Sequence, residues 1–286
     1  MKLLLFLLIL IMIIFKFNDN ENIIFKLSTF DEVTKLENYN DIIYIYCSCN
    51  QLTMIPELPT QLIELNCTGN QITKLPELPS TLKILRCSTN KLTEFPSLPN
   101  SLEKLNCTNN NLTDLPKLPD SLLSLKCEAN KITELLELPS HLKQLYCGNN
   151  QLTMLPNLHI SLNRLSCYQN KLIVLPKLPN SLCELCCGNN KLIMLPELPD
   201  SLKLLFCYNN RLTLFPKLPI NIEVYYYDGN TVYDYIKNKC CGNLEIYHNE
   251  NKTFANKLGE WFLKCKYNPK YKYCRNRVDK EYDKLF

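Results

Sequence analysis

Glycine is scarce in this chain, six in 286 residues, and histidine is scarcer, with three. So little glycine leaves no Gly-rich loop to cradle a phosphate. The sequence also lacks His-Glu-x-x-His and Gly-x-Ser-x-Gly, the spacings that a zinc-protease helix and a nucleophile elbow require. His141, His159 and His248 fall at unrelated places. No sign of charge dominates, and a formal net charge of +4 is too small to argue for nucleic acid by itself. The longest apolar run, Leu3 to Phe15, is too short for a comfortable membrane span. These absences argue against an enzyme with a recognisable motif, and no catalytic residue, cofactor or metal is expected.

What is present is periodic. Cysteine recurs every twenty residues at Cys47, Cys67, Cys87, Cys107, Cys127, Cys147, Cys167, Cys187 and Cys207, and asparagine follows three places later, from Asn50 to Asn230. A period of this length means a solenoid of stacked turns, each touching only its neighbours. Prolines are frequent but in register, which sets the chain apart from a disordered linker.

One turn reads Leu62-Ile-Glu-Leu65-Asn-Cys67-Thr-Gly-Asn70-Gln-Ile72-Thr-Lys-Leu75-Pro76-Glu-Leu78-Pro79. Leu-x-x-Leu-x-Cys ends in period-two alternation, which predicts a short strand with Leu65 and Cys67 inward and Asn66 outward. Such strands stack as a parallel sheet. In Pro-x-Leu-Pro the prolines fix φ, donate no hydrogen bond and push their predecessors to extended geometry, so that half is read as a polyproline-like wall plugged by residues of the Leu78 type. Leu136 and His159 stand where proline is expected, as tolerated variants. One turn buries too little to fold alone, so stability resides in the interfaces between turns.

The ladder positions, typified by Cys67, Cys87, Cys107, Asn70, Asn90 and Asn110, read as structural. An inward amide can pair with backbone groups left over by a tight turn, and the cysteines serve as small buried hydrophobes. In-register strands hold equivalent side chains about 4.7–4.9 Å apart, too far for unstrained disulfides. A ladder of free thiols points to a reducing compartment. Cys183-x-x-Cys186-Cys187 has metal-like spacing but no second pair to complete it. The tail cysteines Cys240, Cys241, Cys265 and Cys274 are irregularly spaced.

The pattern L-x-x-L-x-C-x-x-N-x-L-T-x-L-P-x-L-P-x-S resembles the leucine-rich repeat in its short twenty-residue class, found in bacterial type III effectors and in giant DNA viruses of amoebae. The likeness spans about residues 42 to 235, roughly ten turns. It implies a curved parallel sheet on a concave face, a convex face with little helix, and non-enzymatic binding of a protein ligand through the sheet. The Asn, Lys, Ile and Tyr-rich vocabulary resembles the viral group and implies virus–host interaction. Some effector relatives carry a ubiquitin ligase domain with Cys-x-Asp. This chain has no Cys-x-Asp, so an effector of that type without a recognisable catalytic domain stands as an alternative.

Function is expected on the outward strand positions. One column runs Asn66, Arg86, Asn106, Lys126, Tyr146, Ser166, Cys186, Phe206, Tyr226, and its neighbour includes Tyr168 and Tyr208. Clustered exposed aromatics suit a protein-binding hot spot. Tyr146, Tyr168, Phe206, Tyr208 and Tyr226, flanked by Arg164 and Lys126, are the predicted contact patch of a monomeric binder.

The ends divide as residues 1–17, a signal-like or anchor segment; 18–41, an amino-terminal flank; and 236–286, a cap with a basic, aromatic tail. The first segment reads either as an uncleaved anchor, which makes the chain a membrane-tethered or secreted receptor-like protein, or as a hydrophobic helix capping the first turn, which leaves it in a host cytoplasm. In the tail, Phe254, Leu258, Trp261, Phe262 and Cys265 recur at helical spacing. Residues 252–286 hold ten Lys and Arg against four Asp and Glu. Such a tail can bind nucleic acid or an anionic membrane surface, although a solvated cap rich in lysine is the commoner case.

Overall fold

The computed structural model describes residues 13–17, 25–27, 30–239 and 244. The chain divides into two units, Met1–Thr231 and Val232–Phe286. The first is built on a twelve-stranded sheet in the order β12-β11-β10-β9-β8-β7-β6-β5-β4-β3-β1-β2. Strands β3 (Ile42–Tyr46) and β4 (Glu64–Asn66) through β12 (Val224–Tyr226) are parallel. Register is kept from strand to strand at the twenty-residue step, as in Leu65↔Leu85 and Leu85↔Leu105. This is a parallel-sheet solenoid with little helix, as the period requires.

Each strand from β4 onward is only three residues long, and the neighbouring backbone explains why. Two residues after the Cys that follows the strand, a position takes φ between 49° and 57°, at Thr89, Asn109, Ala129, Asn149, Gln169, Asn189 and Asn209. A left-handed residue ends the extended run and turns the chain. The Pro-x-Leu-Pro half forms neither helix nor strand. Its turn rests on a recurring bond, Leu62 N–H to Pro59 C=O at 3.2 Å, and His159 serves the same acceptor role toward Leu162 at 3.1 Å. That bond needs the carbonyl and not the pyrrolidine ring, which is why His159 is accommodated. Leu136 is accommodated by staying out, exposed on the surface.

The core is one continuous spine. Leu62, Leu65, Cys67 and Ile72 are fully buried, and so are their counterparts through Leu202, Leu205, Cys207 and Leu212, to within about 2%. The plug column is less uniform: Leu58, Leu118, Leu138, Leu178 and Leu198 are buried, whereas Leu78, Leu98, Leu158 and Leu218 are half-buried.

The amino-terminal edge differs from expectation. The end of the apolar run is not helix: Ile13–Phe17 is β1, antiparallel to β3 through Ile14↔Tyr46 and Phe15↔Ile45. Strand β2 (Phe25–Leu27) pairs antiparallel on its other side. Ile13 and Phe15 are fully buried while Ile14 is not, the alternation of a half-buried strand. β-Branched Ile13 and Ile14 favour this geometry, and the open edge of β3 supplies the hydrogen-bond partners a lone helix would not satisfy. A four-residue helix, α1 (Phe30–Val33), and a 3-10 turn at Tyr39–Asp41 lead into β3. Among the described residues no helix is long and apolar enough to cross a membrane. Residues 1–12 lie outside the described residues.

In the second unit the described part is the helix α2 (Thr231–Lys239), which begins one residue before the boundary and buries Val232 and Ile236, four apart on one face. The tail positions Phe254 to Arg277, with Cys240, Cys241, Cys265, Cys274 and His248, lie outside the described residues.

Candidate interaction face of the sheet

The ladder below the face holds the strands in place. Asn110 donates from Nδ2 to the Cys87 and Cys107 carbonyls, both at 3.0 Å, while its Oδ1 accepts from Leu92 N–H at 3.0 Å. Asn90 and Asn70 repeat the pattern one and two turns earlier. Each amide thereby joins two successive turns at buried polar groups that would otherwise lack partners. Beside it the thiols are free and buried. Burial pushes Cys107 up to about 12 and raises Cys67 and Cys87 well above the ordinary thiol value. These groups are scaffold.

Above the ladder the outward columns change character along the stack. In the early turns they are polar and self-satisfied: Arg86 pairs with Glu64, Lys83 with Glu103 at 3.4 Å, and the Thr68 and Ser88 hydroxyls lie 3.2 Å apart. In the late turns rings replace them.

The predicted patch resolves into three neighbouring groups. In the first, the Lys126 ammonium sits 5.0 Å from the centroid of the Tyr146 ring. Arg164 pairs with Glu184 at 3.3 Å, and its hydrogen bond with the Tyr146 hydroxyl, followed by the Glu184 carboxylate, raises its pKa. The second gathers Glu128, Tyr168, Cys186 and Tyr208. Burial raises all four, and Tyr168 is raised further by Glu128, Cys186 and Tyr208. In the third, Phe206 and Tyr226 stack with centroids 5.5 Å apart. Tyr226, at 53% exposure, and Arg164 are exposed, and the other five are half-buried.

Two residues that make the second group possible carry no ring or charge. A Cβ built on Gly148 would lie 2.3 Å from Tyr168 Cε1, and one on Gly188 would lie 2.8 Å from Tyr208 Cε1. Each tyrosine therefore occupies the space of an absent side chain one turn back. Neither glycine has a left-handed φ, so close approach is what demands it. The sequence carries the signal: Gly148, Tyr168, Gly188 and Tyr208 alternate at the same place in four successive turns, and two of only six glycines are spent there. Reading columns for rings alone overlooks it. The partners Glu128 and Glu184 likewise carry no ring and emerge only from the tertiary contacts.

Cys183, Cys186 and Cys187 do not converge. Cys187 is buried in the spine, Cys186 lies on the outer face, and the Cys183 thiol points to the Ser181 carbonyl at 3.4 Å. No group of three His, Cys, Asp or Glu side chains placed to hold a metal ion occurs among the described residues.

No family model matches the sequence, and no curated protein matches it. Solved structures do. YopM of Yersinia pestis, described as a leucine-rich effector protein, is 38% identical with a TM-score of 0.65, the match covering 68% of this chain and 55% of that one. YopM of Yersinia enterocolitica is 31% identical with a TM-score of 0.52, covering 66% of this chain and 51% of that one. A leucine-rich repeat protein of Leptospira interrogans is 25% identical with a TM-score of 0.52, covering 68% and 62%. The chain thus spans about half the length of the two YopM proteins it matches.

Proposed function

We propose, from the premise that this chain has the leucine-rich repeat fold, that it is a non-enzymatic scaffold that captures a protein ligand on the late turns of its concave sheet. The observation that carries this reading is the pair of glycines beneath Tyr168 and Tyr208. The same column holds Thr68, Ser88, Thr108 and Glu128 in earlier turns, so the fold requires neither glycine nor tyrosine there. Rings laid into gaps along a row, beside the Phe206–Tyr226 stack and the Lys126–Tyr146–Arg164 group, make an aromatic surface with charged margins of the kind that dominates protein-binding energy. The likeness to leucine-rich effectors supports a host protein as the ligand, and the sequence resemblance to the viral group supports a viral origin for the encounter.

The test is affinity capture with the full chain, identification of the bound protein, and a titration of that protein against variants. Tyr168→Ala combined with Phe206→Ala is expected to weaken capture at least 100-fold, or about 2.7 kcal/mol, with an unchanged urea midpoint. Capture that persists at wild-type strength with the fold intact removes the patch assignment.

A further inference from the structure

The flank of the solenoid, where each turn leaves the sheet, carries a second surface. Four residues before each turn's plug leucine, one outward column reads Met54, Lys74, Glu94, Asp114, Glu134 and then Met154, Val174, Met194, Leu214. Met54, in the first turn, is apolar and exposed; Lys74, Glu94, Asp114 and Glu134 are exposed and charged, and Lys74 and Glu94 form an ion pair at 3.2 Å. From Met154 the column turns apolar without being fully buried: Met154 is 51% exposed, and Val174, Met194 and Leu214 are half-buried. A repeat protein supplies its own control here. One backbone position is satisfied by charge in four turns, so the hydrophobic effect within the fold does not explain four consecutive apolar residues.

The neighbouring column holds Lys91 and Lys131 among the early turns and Gln151 beside Met154, where Lys171 Nζ donates to Gln151 Oε1 at 3.2 Å, and it becomes continuously basic from Lys171. Lys171, Lys191 and Arg211 stand exposed three residues before Val174, Met194 and Leu214, and none of these cations forms an ion pair among the described residues. The result is a narrow apolar row with a basic row alongside it.

We infer that this flank binds an acidic amphipathic α-helix of a partner protein, lying along the stack with its apolar side on Met154, Val174, Met194 and Leu214 and its carboxylates toward Lys171, Lys191 and Arg211. Spacing selects the helix. Backbone bonds from Ile193 N–H to Ile173 C=O at 3.4 Å and from Thr213 N–H to Ile193 C=O at 3.2 Å hold the rungs close beside the row, so its side chains recur at about 4.7–4.9 Å. A helix presents one face every turn, about 5.4 Å. An extended strand presents one face only every second residue, about 6.8 Å, and drifts out of step within two rungs. A row one side chain wide suits a helix face better than the plane of a bilayer. This surface is separate from the concave patch and does not depend on it.

The probe is a designed 18-residue helical peptide with Leu along one face and Glu on its edge, labelled for fluorescence anisotropy and titrated with the full chain. The comparison variant is Val174→Lys with Met194→Glu, which copies Lys74 and Glu94 from the same column and so introduces a pair the fold already holds. Binding of the acidic peptide, with gain of helical circular dichroism, is expected to weaken at least tenfold in that variant and in Lys191→Glu with Arg211→Glu. Tyr168→Ala is expected to leave it unchanged, which separates this surface from the concave one. The inference is overturned if the acidic peptide does not bind, if a peptide with Lys in place of Glu binds as well, or if vesicles of equal phosphatidylserine and phosphatidylcholine are bound through the same residues in preference to it.

Discussion

An asparagine amide in this ladder serves three backbone groups, and all three lose their partner together. Asn110→Ala strands the Cys87 and Cys107 carbonyls and Leu92 N–H. At about 1–3 kcal/mol for each unsatisfied buried group, partly relieved by relaxation, a loss of about 3 kcal/mol is expected in urea unfolding, with no effect from Asn109→Ala beyond its left-handed φ. The thiols give a pH prediction. Burial raises their folded pKa values above the ordinary thiol value near 9, to about 12 for Cys47, Cys107 and Cys207. The folded state therefore keeps protons that the unfolded state gives up, so the contribution is intact below pH 9 and is lost as pH rises toward 12. Each thiol contributes about 1.4 kcal/mol per unit in that window. With a column of them, the urea midpoint should hold from pH 6 to 8 and collapse within about one unit above 9. A midpoint level through pH 10.5 would show that the column is not buried. Gly148→Ala belongs at this scale too: its methyl displaces the Tyr168 ring while changing stability by less than about 1 kcal/mol, so ligand capture should fall as far as it does in Tyr168→Ala.

At the scale of elements, β1 is the piece whose role is least evident from composition. A parallel stack has an open edge at its first strand, and an unpaired edge invites pairing with another chain. Here β1 covers β3 in antiparallel register, with Phe15 fully buried. Phe15→Asp is expected to release that edge. Because turns couple mainly to their neighbours, hydrogen exchange should accelerate across Ile42–Tyr46 and stay unchanged at Glu184–Cys186. Uniform acceleration would mean that the stack unfolds as one unit and that the nearest-neighbour picture fails. The apolar run reads as a helix by hydropathy, and hydropathy does not distinguish a buried strand from a buried helix over so few residues.

For the molecule as a whole, the controlling quantity is the phase of the repeat. Removing residues 91–110 takes out one full period and leaves every remaining residue in its column, so a cooperative fold with a slightly lower urea midpoint is expected. Removing 91–100 shifts the inward set of one half against the other and should abolish cooperative unfolding, as read by circular dichroism.

A twenty-residue period is enough to dictate the solenoid, the inward Leu and Cys columns and the outward face, because stacking identical turns leaves each position one environment and local chemistry has only to agree with it. Rings in the outward columns could be named from the same phase. Which rings meet could not: Tyr168 with Glu128 and Cys186, Tyr146 with Lys126 and Arg164, and the glycines that seat the tyrosines depend on rotamers and on lateral distances between turns. The closure of the first edge by Ile13–Phe17 likewise arises only in three dimensions, since an aperiodic segment finds its place through the unpaired backbone it meets rather than through its own pattern.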